Sequence, residues 1–81
     1  MILDLNRFVA EEEPIWTELE KLLNRLDNDS AIKLTIPQIE RFHYLYQRSS
    51  SDLARISGFS AQQDVKVYLE SIVGRAFSKN S

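Results

Sequence analysis

The chain contains no cysteine. That excludes a disulfide framework, a thiol nucleophile and any zinc–thiolate site. There is one histidine, His43, so a histidine-only metal cluster is excluded too. Glycine and proline number two each, which leaves little turn chemistry for a sheet. Apolar runs are very short, such as Met1-Ile2-Leu3 and Phe8-Val9-Ala10. A membrane span takes about 20 apolar residues, so none of these runs makes one. The first residues lack the basic segment and long apolar stretch of a signal peptide.

What remains is an ordinary globular composition. Of the 81 residues, 43% are hydrophobic and 27% charged, too apolar for a disordered chain. The length suits one domain spanning residues 1–81. A chain of this size buries roughly 60% of its unfolded surface. That is enough for one small core and little more.

Charge is unevenly distributed. Residues 1–29 carry eight acids against three bases, a local balance of −5. Residues 30–81 carry seven bases against four acids, a balance of +3. Two readings follow: the halves pack with complementary surfaces, or the field serves a partner.

The apolar periodicity is helical throughout. Asp4 caps a short first helix to about Glu13, with Leu5, Phe8 and Val9 on one face. Pro14 predicts a break there, because proline is at home in the first turn of a new helix. A second helix then runs from Pro14 to about Asp27 on the stripe Ile15, Trp16, Leu19, Leu22, Leu23 and Leu26. Asn28-Asp29-Ser30 opens a connector. Thr35 and Gln38 have the capping-box spacing and start a third helix. Its apolar face runs through Ile36, Ile39, Phe42, Leu45 or Tyr46, Ser49, Leu53 and Ile56, with Gly58 as a left-handed stop. The stripe keeps its phase across Ser49-Ser50-Ser51, which predicts a continuous helix with room there for a close neighbour. Ser60 and Gln63 repeat the capping spacing and open a fourth helix on Val65, Leu69, Ile72, Val73, Ala76 and Phe77. Gly74 either weakens that helix or permits a close contact. Residues 78–81 read as frayed. The expectation is an all-α antiparallel bundle of three main helices plus a short N-terminal one. By position Phe8, Trp16, Phe42, Tyr46, Phe59, Tyr68 and Phe77 belong mostly to its core.

Few residues offer chemistry. His43 stands without a recognisable nucleophile or a marked carboxylate pair, so a surface or structural role is expected. Glu11, Glu12 and Glu13 are consecutive and cannot all face one ion; they read as a solvated helix end. No metal, cofactor or catalytic residue is expected. Arg41, Arg48 and Arg55 recur every seven residues, which aligns them on one stripe. Tyr44 lies one turn from both Arg41 and Arg48. This stripe either pairs with the acidic first half or contacts a protein or lipid headgroup. Nucleic acid is disfavoured by the acidic isoelectric point near 5.3 and by Glu40 and Asp52 beside the arginines.

Several segments in order carry a resemblance. These are Asp4-Leu5-Asn6-Arg7-Phe8, the stretch Pro14 to Leu23, His43-Tyr44-Leu45-Tyr46-Gln47-Arg48, Ser51-Asp52-Leu53-Ala54-Arg55, and Tyr68 to Ala76. Together they resemble the N-terminal part of bacterial integral membrane proteins of the stage II sporulation protein M family. The resemblance spans nearly the whole chain and rests on the ordered set, not on one chemical signature. It implies a non-catalytic helical domain on the cytoplasmic face of the inner membrane, with a multi-span region beginning after Ser81. Its partners would be that membrane region, a second copy or another protein. The positions that match the family pattern are Trp16, Tyr46, Arg48, Asp52, Leu53, Tyr68 and Arg75. The rival readings are a stand-alone helical adaptor or regulator and, further off, a nucleic-acid-binding helical domain.

Overall fold

The structure, a computed structural model, describes residues 4–59 and 62–80. Every regular element among them is a helix: α1 (Leu5–Asn28), α2 (Ile36–Ile56) and α3 (Gln63–Asn80). No described helix is long and apolar enough to cross a membrane.

Helix α1 corrects the expected division at Pro14. There is no separate short N-terminal helix; 24 residues form one helix with Pro14 inside it. Proline deletes its hydrogen bond to the carbonyl of Ala10 and crowds the preceding turn, a cost of about 3 kcal/mol in a helix interior. The helix continues because both sides of Pro14 are anchored to the same core. Phe8, Glu12, Trp16, Leu19 and Leu23 are buried and keep one phase across the proline, which itself faces solvent. The Asp4 side chain accepts from the backbone N–H of Arg7 as expected, and Asp29 closes the other end by donating its backbone N–H to the carbonyl of Arg25.

Helix α2 starts where the capping box places it. Thr35 Oγ1 accepts from the Gln38 N–H at 3.3 Å, and the Gln38 side chain accepts from the Thr35 N–H at 2.8 Å. It runs unbroken through the three serines, and Ser49 is fully buried. The ending differs from expectation. Neither glycine has a positive φ, so Gly58 is no left-handed stop. Instead the Ser57 backbone N–H and side-chain hydroxyl both donate to the carbonyl of Leu53, at 3.0 and 2.7 Å. Those bonds satisfy an orphan carbonyl that a left-handed glycine would otherwise help to cover.

The expected capping residue of the last helix, Ser60, lies outside the described residues. Within them, Gln62 precedes α3 and its carbonyl accepts from the Lys66 N–H. Gln62 has a φ of 62°, the one non-glycine residue with positive φ among those described. Such a conformation is strained for a side chain with a Cβ. Residues 78–80 are not frayed as expected: α3 continues to Asn80, with Ser78 Oγ donating to the carbonyl of Gly74 and Lys79 paired with Asp27, while Ser81 lies outside the described residues.

The core gathers Phe8, Trp16, Leu19 and Leu23 of α1, Phe42, Leu45 and Ile56 of α2, and Leu69, Ile72 and Ala76 of α3. Tyr46, Leu53 and Tyr68 pack against it. Phe59 and Phe77 do not join it. They are 38% and 61% exposed, because Phe59 lies in the loop beyond α2 and Phe77 stands off the stripe of Leu69, Ile72 and Ala76 that faces the core. Ile36 and Ile39 at the start of α2 also face solvent.

Gly74 offers a clean test of helix energetics. A Cβ built there meets nothing within 4 Å, so no close approach requires the glycine. Gly74→Ala is expected to stabilise the fold by about 1 kcal/mol. A raised urea midpoint with an unchanged slope is the expected result.

Candidate functional site

The densest polar construction in the molecule lies along the seam between α1 and α2. Arg41, Arg48 and Arg55, seven residues apart on α2, meet Glu18, Glu12 and Phe8 of α1 in turn. Arg41 forks onto Glu18, with Nε to Oε2 at 2.8 Å and Nη2 to Oε1 at 2.7 Å. Arg48 forks onto Glu12 with both bonds at 2.7 Å. Arg55 stands over the Phe8 ring, 5.6 Å from its centroid. Tyr44 fills the row: its hydroxyl accepts from Arg48 Nη1 at 2.8 Å, and the Arg41 guanidinium lies 5.1 Å from its ring centre.

The seam is wet at one edge and dry at the other. Arg41 and Glu18 are about half exposed, so their bridge belongs to the class contributing about 0–1 kcal/mol. The Glu12 side chain is 8% exposed, and its bridge shields a charge held away from water. Behind it Trp16, fully enclosed, donates its indole N–H to Asp52 Oδ2 at 2.9 Å. The other Asp52 oxygen, Oδ1, is buried without a hydrogen bond and has only Arg55 Nη1 at 3.9 Å.

Electrostatics follow this geometry. The hydrogen bonds from Arg48 hold the Glu12 carboxyl below its usual range, against the opposing effect of burial. Burial first, then the neighbouring Glu12, pushes Asp52 up to about 6. Arg41 lowers Glu18 in the same manner.

A second seam joins α1 to α3. Tyr68 donates its hydroxyl to Glu20 at 2.9 Å, and its ring lies 6.5 Å from Trp16. Burial, helped by Glu20, raises the Tyr68 hydroxyl to about 12. Arg75 donates to Asn24 at 2.9 Å and to Asp27 at 2.7 Å, and Lys79 reaches Asp27 at 2.6 Å. Lys79 and Arg75 together hold Asp27 below the ordinary carboxylate range.

The structure therefore brings Arg41, Tyr44, Arg48 and Arg55 together on one face, and their partners are residues of the same chain. Of the positions matching the family pattern, Trp16, Arg48, Asp52, Tyr68 and Arg75 each bond across a helix boundary. Tyr46 and Leu53 pack against the core. The residue that sequence reasoning missed is Glu12. It continues the i, i+4 series Phe8, Glu12, Trp16, but a helix break at Pro14 hides that series. His43 lies exposed beside Phe42. No group of three or more potential metal ligands occurs among the described residues.

One family model matches the chain, over residues 6–80: a domain of unknown function, DUF8413. The chain belongs to this family. No curated protein and no solved structure matches it. The family match carries no link to the sporulation protein M family or to a membrane protein.

The seam predicts an ordering of substitutions. Arg48→Gln strands the buried Glu12 carboxylate and should cost about 2–3 kcal/mol. Arg41→Gln, at the wet edge, should cost less than about 1 kcal/mol. Urea unfolding of the two variants at one pH checks the ordering, and equal losses would contradict it.

Proposed function

We propose that this domain is a non-catalytic protein-interaction module, carried on the cytoplasmic face of a multi-span bacterial membrane protein resembling the stage II sporulation protein M family. The observation that carries the interaction reading is a set of large apolar side chains left in water. Ile36 is 70% exposed, Phe77 is 61% exposed and Ile39 is 37% exposed. Exposed apolar groups brought to one region of a small domain mark an interaction site more often than an accident of composition.

Pairing across the helices supports placing these three at one end. From Arg41 to Arg48 to Arg55, the α1 partners fall from Glu18 to Glu12 to Phe8. That order fits α2 running opposite to α1. From Tyr68 to Arg75 to Lys79, the α1 partners rise from Glu20 to Asp27. That order fits α3 running with α1, as in an up-down-up bundle. Ile36 and Ile39 at the start of α2 then share an end with Phe77 near the finish of α3.

The membrane context rests on the ordered motifs alone. The same motifs supply the bonds that cross-link the three helices, so the pattern reads as a specification of the fold. The arginine stripe is largely neutralised by Glu12 and Glu18, which argues against nucleic acid as the partner. The stand-alone adaptor remains the rival, and the native reading frame past codon 81 separates the two. Several apolar stretches of about 20 residues support the membrane form; a stop codon supports the adaptor.

A photo-reactive amino acid at position 36, in the native host, tests the interaction reading. A discrete adduct is expected, absent when the probe sits at the exposed polar Gln47 and lost in Phe77→Ser. Equal labelling from positions 36 and 47, or none from 36, would overturn the reading.

A further inference from the structure

The α1–α2 seam contains an electrostatic mismatch. Two carboxyl groups, on Glu12 and Asp52, are withdrawn from water in one stretch of the seam: Glu12 lies one turn before Trp16, which bonds Asp52, and Arg48, which bonds Glu12, lies one turn before Asp52. One guanidinium, that of Arg48, is bound tightly there, and both of its forked bonds go to Glu12. Asp52 receives one hydrogen bond, from Trp16, and keeps one buried oxygen without any. Two like charges at close quarters in a medium of low polarity favour uptake of a proton by one of them.

We propose that Glu12 and Asp52 form a proton-sharing carboxyl pair that makes the α1–α2 seam a pH-sensitive clasp, tighter in mild acid than at neutral pH. The inference is independent of the interaction reading above. A proton on Asp52 removes the repulsion between the carboxyl groups and gives Asp52 a donor where it had only acceptors. Glu12 remains the charged member, because Arg48 favours its ionised form. Removal of the proton at higher pH leaves both carboxylates ionised behind the same fork.

The groups facing the pair come from each side of the seam. From α1 they are Glu12 itself and Trp16; from α2 they are Arg48, with Tyr44 behind it, and Arg55 at 3.9 Å from Asp52. From α3 the approach is indirect, through the Tyr68 ring against Trp16, and the Tyr68 hydroxyl is bonded to Glu20. Arg55 lies on the open side, beyond hydrogen-bonding distance, so it moderates the mismatch without cancelling it.

The two carboxyl groups act on stability in opposite directions. Asp52 titrates near 6 in the fold, above an unfolded value of about 3.9. Its contribution is complete below the unfolded value and is lost as pH rises through the folded one. Glu12 is lowered, so its contribution is present above about 4.3 and is lost as pH falls. The pair thus stabilises the fold most near about pH 4, and its contribution falls as pH rises from there to about 6.

Urea unfolding of the wild type and Asp52→Asn from pH 5 to pH 8 tests this. Asparagine keeps an acceptor for Trp16 and carries no charge. Histidine and the other carboxyl groups are common to both proteins and cancel in the difference. The wild-type unfolding constant, relative to the variant, should rise by up to about tenfold per pH unit between about pH 5 and pH 6 and level off by about pH 7. Parallel curves for the two proteins would overturn the proposal. A variant that fails to fold leaves the wild type as the arbiter. The Asp52 carboxyl carbon, followed by NMR, should titrate near 6, and a midpoint below about 4.5 would equally overturn it.

Discussion

The hydrogen bond from Trp16 to Asp52 is the constraint around which the bundle is arranged. A tryptophan can enter a core completely only if its N–H finds an acceptor. Here the acceptor is a carboxylate from a residue 36 positions away, itself almost fully enclosed. Each partner makes burial of the other tolerable. The bond also sets a register: with Trp16 fixed against Asp52, Glu12 falls beside Arg48 and Phe8 beside Arg55. The indole ring meets Phe8 on one side and Tyr68 on the other, so the same side chain ties all three helices together.

Electrostatics in this domain serve orientation more than raw stability. The acidic first third and the more basic remainder are complementary because they form the two sides of each seam. Bridges at the wet rim, such as Arg41 with Glu18, contribute little energy. They still disfavour a slipped register, since a shift would place arginine and carboxylate rows out of step. At the dry edge the same chemistry is less forgiving. Glu12 and Asp52 must be satisfied by Arg48 and Trp16, and the one oxygen left over gives the seam its sensitivity to protons.

The separation of roles across the surface follows from size. An 81-residue chain has a small core, and five of the positions that resemble a family pattern are used to cross-link it. In the proposed interaction reading, recognition then falls to what those bonds leave outside. Ile36, Ile39 and Phe77 are apolar and uncovered, whereas the arginine stripe is partnered within the chain. A surface that looks basic in sequence is thus largely neutral in the folded molecule.

Much of the architecture was legible from local signals. Helix type, the Asp4 cap, the Thr35–Gln38 capping box, the continuity of α2 across its serines and most core positions follow from periodicity and capping chemistry, which act over a few residues. Pro14 misled because its local cost is real, yet the stripe from Phe8 through Glu12 to Trp16 anchors both sides of it to one core. The same misreading concealed Glu12, whose burial depends on Arg48, 36 positions away. Gly58, Phe59 and Phe77 likewise took their roles from bonds and neighbours that no short window contains. Sequence by itself determined an all-helical chain of amphipathic segments, with an acidic first part and a basic remainder. Only the tertiary structure decided which carboxylate meets which guanidinium, because pairing across helices depends on register, and register is set when the tryptophan and its acceptor are buried together.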